Sequence, residues 1–131
     1  MLKSLPVKLT GTVTHGRKLG TEFNMPTANI TPDIDISGLE YGVYYSKVTV
    51  DGETYKAISN LGKKPTVKED ESVNVETFLY DFEGDLYGKI ITVELLEFRR
   101  PEQKFDSYEC LCTEMHRDLE AGREYIESRK F

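Results

Sequence analysis

Apolar and polar residues alternate through most of the first hundred positions and then give way to a spacing of three and four. Val7, Leu9, Gly11 and Val13 interleave with Lys8, Thr10, Thr12 and Thr14, the period of a half-buried strand. The stretch from Tyr41 to Val50 is rich in Tyr and Val and ends at Asp51-Gly52. That dipeptide favours a two-residue hairpin because both central positions take positive φ, so Glu53 to Leu61 is predicted to pair back antiparallel. Asn74 to Asp81 and Lys89 to Phe98 are predicted as a second antiparallel pair, joined by Phe82-Glu83-Gly84-Asp85-Leu86-Tyr87-Gly88. This link is long for a hairpin, which makes it a candidate for function. After Pro101, Asp106 with Glu109 reads as a capping box, and Tyr108, Leu111, Met115, Leu119, Gly122 and Ile126 form one helical stripe. The pattern predicts a mainly β fold: a small closed or nearly closed barrel over about 7–100, covered by an amphipathic helix over about 106–128, in a single domain spanning 1–131.

Composition narrows the classes of function. The 131 residues are 38% hydrophobic and include eight Tyr and six Phe, enough for a core without staples. No apolar run approaches the about 20 residues needed to span a bilayer, and Pro6 interrupts the only short apolar stretch at the start. A cytoplasmic protein with no membrane association is expected. Lys plus Arg number 17 against 23 Asp plus Glu, a formal charge of -6, and the runs Lys63-Lys64 and Arg99-Arg100 are brief. Nucleic acid is therefore not an expected partner, because gripping a phosphate backbone takes clustered cations. Cys110 and Cys112 would point about 200° apart on a helix and read as free thiols. His15 and His116 are not spaced as a metal pair.

Two stretches carry candidate chemistry. Between Gly11 and Gly20, the order of glycines and cations superficially matches a P-loop, but Arg17 stands at the Lys position, Lys18 at the Ser or Thr position, and no helix is predicted to follow. What remains is Gly16 and Gly20, which let backbone N–H groups approach an anion, with Arg17 and Lys18 supplying charge; an ordinary turn has the same composition. In Pro26-Thr27-Ala28-Asn29, alternate residues place a hydroxyl and an amide carbonyl on one side. Those oxygens suit either Mg²⁺ beside nucleotide phosphates or a hydrogen-bonded turn. In Val73 to Tyr80, Glu76 shares a strand face with Asn74 and Phe78, either as a solvated residue or as a placed general base.

Taken in order, Gly11-x-Val13-x-x-Gly16, Gly20, Pro26-Thr27-Ala28-Asn29, Tyr41-Gly42-Val43-Tyr44, Asn60-Leu61-Gly62-x-x-Pro65-Thr66, Val75-Glu76-Thr77, Gly84-Asp85-Leu86-Tyr87-Gly88 and Arg100-Pro101-Glu102-x-x-Phe105-Asp106-Ser107 resemble the riboflavin kinases (flavokinases) of bacterial and eukaryotic type. The likeness runs from about Gly11 to Ile126, and the Pro-Thr-Ala-Asn tetrad is the family's signature. The resemblance implies a six-stranded antiparallel closed barrel with a long C-terminal helix. It also implies an ATP-dependent enzyme that phosphorylates the ribityl 5′-hydroxyl of riboflavin, giving FMN and ADP.

By the same resemblance Thr27 and Asn29 meet Mg²⁺ and the nucleotide phosphates, and Glu76 is the catalytic base. Gly16, Arg17, Lys18, Gly20, Leu86 and Tyr87 fall on the nucleotide side, and Arg100, Glu102 and Phe105 on the flavin side. The expected partners are riboflavin or FMN and ATP or ADP, and a monomer is expected. The chain departs from the family at Gly20-Thr21-Glu22-Phe23-Asn24-Met25, where Gly-Arg-x-Leu-Gly-Phe is usual, and Phe78 stands where His is common. The usual bacterial arrangement adds an adenylyltransferase domain, for which 131 residues leave no room, so FMN is the expected end product. The alternative is a flavin-binding or regulatory module, derived from such a kinase, whose catalysis has weakened.

Overall fold

The alternating segments form six antiparallel strands, followed by one helix: β1 (Val7–Thr12), β2 (Thr27–Ile30), β3 (Gly42–Val50), β4 (Glu53–Lys63), β5 (Val73–Leu79), β6 (Ile90–Pro101) and α1 (Tyr108–Ser128). The computed structural model describes residues 5–14, 27–34, 36, 38–63, 73–102 and 106–128. Strands β3 and β4 make the expected hairpin, with Val50 opposite Glu53 and Asp51 and Gly52 at φ 52 and 81. In the sheet the strands run β1-β6-β3-β4-β5-β2.

The second expected hairpin does not form. Strand β5 pairs with β2 and β4, while β6 pairs with β1 and β3. The link between β5 and β6 is long because it crosses the end of the β3–β4 hairpin, where Lys89 Nζ meets Asp51 Oδ2 at 2.7 Å. Its apolar residues belong to the interior: Leu86 is buried, and the Phe82 ring meets Tyr55 edge-on with centroids 5.0 Å apart.

The sheet is also not a closed barrel. It turns through 233° about its axis as an open half-barrel, with its edges 5 Å apart. Among the described residues no ladder joins β1 to β2; Thr14, two residues past β1, makes an isolated bridge with Asn29. Closure stops there because β2 has four residues and the neighbouring edge groups of β1 are engaged elsewhere. The Thr10 N–H donates to Asp33 Oδ1 at 2.9 Å, and the Gly11 backbone abuts the Thr31 carbonyl so closely that a Cβ would lie 2.8 Å from it.

Period-two alternation sorts the side chains into two layers. The concave side buries Leu9, Tyr44, Val48, Leu61, Val75 and Val93, among others, without solvent exposure above 2%. Three hydroxyls lie within that layer and satisfy one another: Ser46 Oγ to Ser59 Oγ and Ser59 Oγ to Thr77 Oγ1, each at 2.8 Å. The outer side carries a second cluster, Val43, Ile58 and Phe78, which α1 covers with Met115 and Leu119. The helical stripe therefore covers the sheet as expected at those two positions, although its N-cap is Ser107 rather than Asp106: the Cys110 N–H donates to Ser107 Oγ at 3.1 Å.

Hydrogen bonds and ion pairs fix the helix on the sheet. Asp118, 1% exposed, accepts from Arg99 Nε at 2.9 Å and from Arg100 Nε and Nη2 at 2.9 and 2.6 Å. Consecutive strand residues normally face opposite ways, yet both arginines reach the helix. A bulge allows this: Tyr44 pairs with Phe98 and Val43 with Arg100, leaving Arg99 as the extra residue. One turn further along α1, Gly122 lies against Tyr80, whose hydroxyl donates to the Leu119 carbonyl at 2.6 Å.

Two stability predictions follow from this seam. Asp118→Ala leaves two partly buried guanidinium groups without their acceptor; because each arginine side chain is about a fifth exposed, the loss falls at the low end of the range for broken buried pairs, about 3 kcal/mol, read from urea unfolding. Gly122→Ala raises helix propensity by about 1 kcal/mol but drives a methyl into the Tyr80 phenol. A net loss in melting temperature is expected, and the loss should shrink in a Tyr80→Phe background, where no buried hydroxyl is displaced.

Candidate functional site

The outer face of the sheet is divided. Beneath α1 it is apolar, but along β2, β5 and β4 it becomes a polar row. Asn29 stands directly opposite Glu76, and Glu76 directly opposite Asn60. Directly opposed residues of antiparallel strands have Cβ atoms roughly 5 Å apart, so the carboxylate is flanked by an amide on each side. Glu76 is 4% exposed and Asn29 5%, whereas Thr27 and Asn60 are half-buried. Thr27 pairs with Phe78 and projects from the same face as Asn29, so the tetrad's hydroxyl and amide do share a side.

Two further side chains frame this row. Asn74, two residues before Glu76 on the same face, donates through Nδ2 to Asn29 Oδ1 at 2.9 Å. Asn74 in turn pairs with Gly62, over which the Glu102 carboxylate lies. Thr14 closes the row at the open seam: its N–H donates to the Asn29 carbonyl at 2.8 Å, and its hydroxyl to the same oxygen at 3.3 Å.

Thr27, Asn29, Glu76 and Glu102 thus lie on one stretch of the outer face. Arg100 belongs to the same lateral row, opposite Val43, which is itself opposite Asn60, but its guanidinium is held by Asp118 on α1. Leu86 and Tyr87 are at the hairpin end of the sheet. Their loop docks on β1, with the Gly88 N–H donating to the Val13 carbonyl at 3.0 Å and the Val13 N–H donating to the Lys89 carbonyl at 2.8 Å. Leu86 faces the interior at 3% exposure, and Tyr87 is 55% exposed. Gly16, Arg17, Lys18, Gly20 and Phe105, with the divergent 20–25 segment, lie outside the described residues.

Asn60, Asn74 and Asp118 carry no role in the sequence reading. Strand register could have found the first two once Glu76 was placed, since they are its cross-strand and same-face neighbours. Asp118 had no such signal, because a carboxylate in an exposed-looking helical sequence is ordinarily solvated.

Thr27 and Asn29 supply neutral, hard oxygens, and Asn29 Oδ1 keeps a second lone pair beyond the one that accepts from Asn74. That donor set fits a Mg²⁺ ion sharing its shell with phosphates and water, which takes one or two protein ligands rather than a protein cage. No group of three His, Cys, Asp or Glu among the described residues is placed to hold a metal ion.

Comparison with protein families and with curated proteins gives one likeness. The family described as flavokinase, riboflavin kinase, matches residues 3–126. A bifunctional riboflavin kinase/FMN adenylyltransferase of Pseudomonas fluorescens is 38% identical over 118 residues, covering 90% of this chain and 38% of that protein. The RNA-binding riboflavin kinase RibR of Bacillus subtilis is 39% identical over 111 residues, covering 85% of this chain and 47% of that one. Among solved structures, one described as a macrolide-efflux protein from Streptococcus pneumoniae superposes with a TM-score of 0.76 at 31% identity, covering 90% of this chain and 38% of that one. The chain spans less than half the length of each of these three.

The 82–88 loop divides into a structural and an accessible half. Leu86→Ala is expected to cost about 2–5 kcal/mol in urea unfolding, as for other buried leucines. Tyr87, 55% exposed, is the half of the loop that solvent reaches.

Proposed function

The chain belongs to the riboflavin kinase family, and from that premise we propose that it transfers the γ-phosphate of ATP to the ribityl 5′-hydroxyl of riboflavin, giving FMN and ADP. The observation that carries this reading is the pairing of Glu76 with Asn29 across β5 and β2, both buried, with Thr27 on the same face. A buried carboxylate set between two amides is costly to maintain for packing alone. It is useful where a hydroxyl must be oriented and deprotonated.

In this mechanism the protein mainly positions two substrates, because phosphoryl transfer demands alignment and charge neutralisation more than covalent help. Glu76 accepts the proton of the ribityl hydroxyl as its oxygen attacks the γ-phosphorus, and ADP leaves with the electrons of the broken P–O bond. Thr27 and Asn29 would hold Mg²⁺, which when bound would offset the negative charge of the phosphates. Gly16, Arg17, Lys18 and Gly20 are proposed to cradle the phosphates, and Leu86 and Tyr87 to border the adenine through their loop.

Glu102 and Phe105 are proposed on the flavin side. Arg100, whose guanidinium is bonded to Asp118, is proposed to support that side from the corner between β6 and α1. The formal charge of -6 supports small anionic ligands met at one cationic loop rather than a nucleic-acid backbone. Among the described residues, no helix is long and apolar enough to cross a membrane.

Purified protein given riboflavin, ATP and Mg²⁺ is expected to form FMN, followed by chromatography. Glu76→Gln should lower kcat by about 10²- to 10⁴-fold while riboflavin binding, read by flavin fluorescence, persists. Riboflavin binding without FMN formation by the parent would instead identify a catalytically weakened flavin-binding module. An undiminished Glu76→Gln variant would leave the kinase standing and remove the base from Glu76.

A further inference from the structure

We propose that Asn74 is a positioning residue that fixes which end of the Asn29 amide faces the nucleotide phosphates and their metal. The inference rests on the assignment of Asn29 as a metal-holding oxygen. Asn74 is neither in the Pro-Thr-Ala-Asn tetrad nor next to it in sequence; the antiparallel pairing of β2 with β5 brings the two together as diagonal neighbours. Such neighbours are about 7 Å apart at the backbone, within reach of two asparagine side chains, and here the Nδ2 to Oδ1 distance is 2.9 Å.

The chemistry of the amide gives this bond its consequence. An asparagine side chain has an oxygen end that accepts and a nitrogen end that donates, nearly equal in shape. A half-turn about χ2 would exchange them at little steric cost. Asn29 stands directly opposite a carboxylate, which attracts the nitrogen end, and close to the proposed cation, which needs the oxygen end. Nothing in the tetrad itself selects between the two orientations. In the structure Asn74 presents its donor end, Nδ2, and in that arrangement Asn29 Oδ1 receives it while keeping a second lone pair for a cation. The hydrogen bond is half-buried, so water competes with it weakly. Outer contacts of this kind are typically worth about 10- to 100-fold in metal affinity.

The test is calorimetric titration of ADP into the whole chain with and without Mg²⁺, alongside a thermal melt. The parent is expected to bind ADP more tightly with Mg²⁺ present. Asn74→Leu, similar in size but lacking a donor, should lose about 10- to 100-fold of that Mg²⁺-dependent gain while keeping its metal-free ADP affinity. Asn74→His, whose ring N–H can take the place of the amide donor, should recover most of it. Should leucine not be accommodated, Asn74→Val removes the donor with a strand-favouring residue and is read the same way. A full Mg²⁺-dependent gain in the donor-free variant overturns the inference, as does an equal loss in Asn74→Leu and Asn74→His, which would mark a packing role. Absence of any Mg²⁺-dependent gain in the parent overturns the metal assignment of Asn29 itself, and is distinguished from the other results because it precedes any substitution.

Discussion

The register of β5 is the constraint on which the site depends. Its side chains alternate between two buried layers, Val75, Thr77 and Leu79 inward and Glu76 and Phe78 outward. A slip of one residue would turn the carboxylate into the apolar interior and bring Val75 or Thr77 to the outer row. The inner layer guards against that slip. Thr77 reaches Ser59, and Ser59 reaches Ser46, only in the observed pairing, and any other alignment would bury hydroxyls with no acceptor. An unsatisfied buried hydroxyl costs roughly 1–3 kcal/mol, so a polar chain inside the sheet helps hold a polar row outside it.

The helix is placed by the opposite device, a break in regular pairing. The bulge between β3 and β6 lets two consecutive arginines reach one buried aspartate on α1, while Met115 and Leu119 cover Ile58 and Phe78. Phe78 is therefore covered by the helix two residues beyond Glu76, on the same strand face. The helix and the polar row divide one surface between them, and the ion pairs at Asp118 keep the helix on its own part of it.

Much of this was legible in the sequence because it is local. Alternation located the strands, Asp51-Gly52 fixed a turn, and the three-and-four spacing found the helix, since each depends on neighbours a few residues apart. What failed was non-local. The 82–88 segment reads as a hairpin loop because its two glycines, Gly84 and Gly88, sit among acidic residues; only the long-range strand pairing shows that it crosses the end of the β3–β4 hairpin and separates β5 from β6. Ser107 displaced Asp106 as the cap because capping depends on which residue leaves helical geometry first, a matter of one position. At the site, the tetrad and Glu76 stood out by residue type and family pattern, whereas Asn60 and Asn74 gained meaning only when pairing set them beside Glu76 and Asn29.

The open seam bears directly on the chemistry. In a closed barrel, β2 would use both its edges in ladders, and the backbone around Thr27 would be committed to β1. Here β2 pairs along one edge with β5, and among the described residues its backbone pairing toward the β1 side is the isolated Thr14–Asn29 bridge. An edge strand keeps a row of backbone N–H and C=O groups outside any ladder, ready for another partner. The single bridge falls on Asn29 itself, so the residue proposed to meet the metal is held from the seam side by Thr14, from the strand side by β5 and through its side chain by Asn74. Thr27, two residues away, pairs with Phe78 on β5 and lies outside that bridge. Among the described residues, the open pairing thus holds one of the two proposed metal-holding residues from several sides and leaves the other outside any β1–β2 ladder.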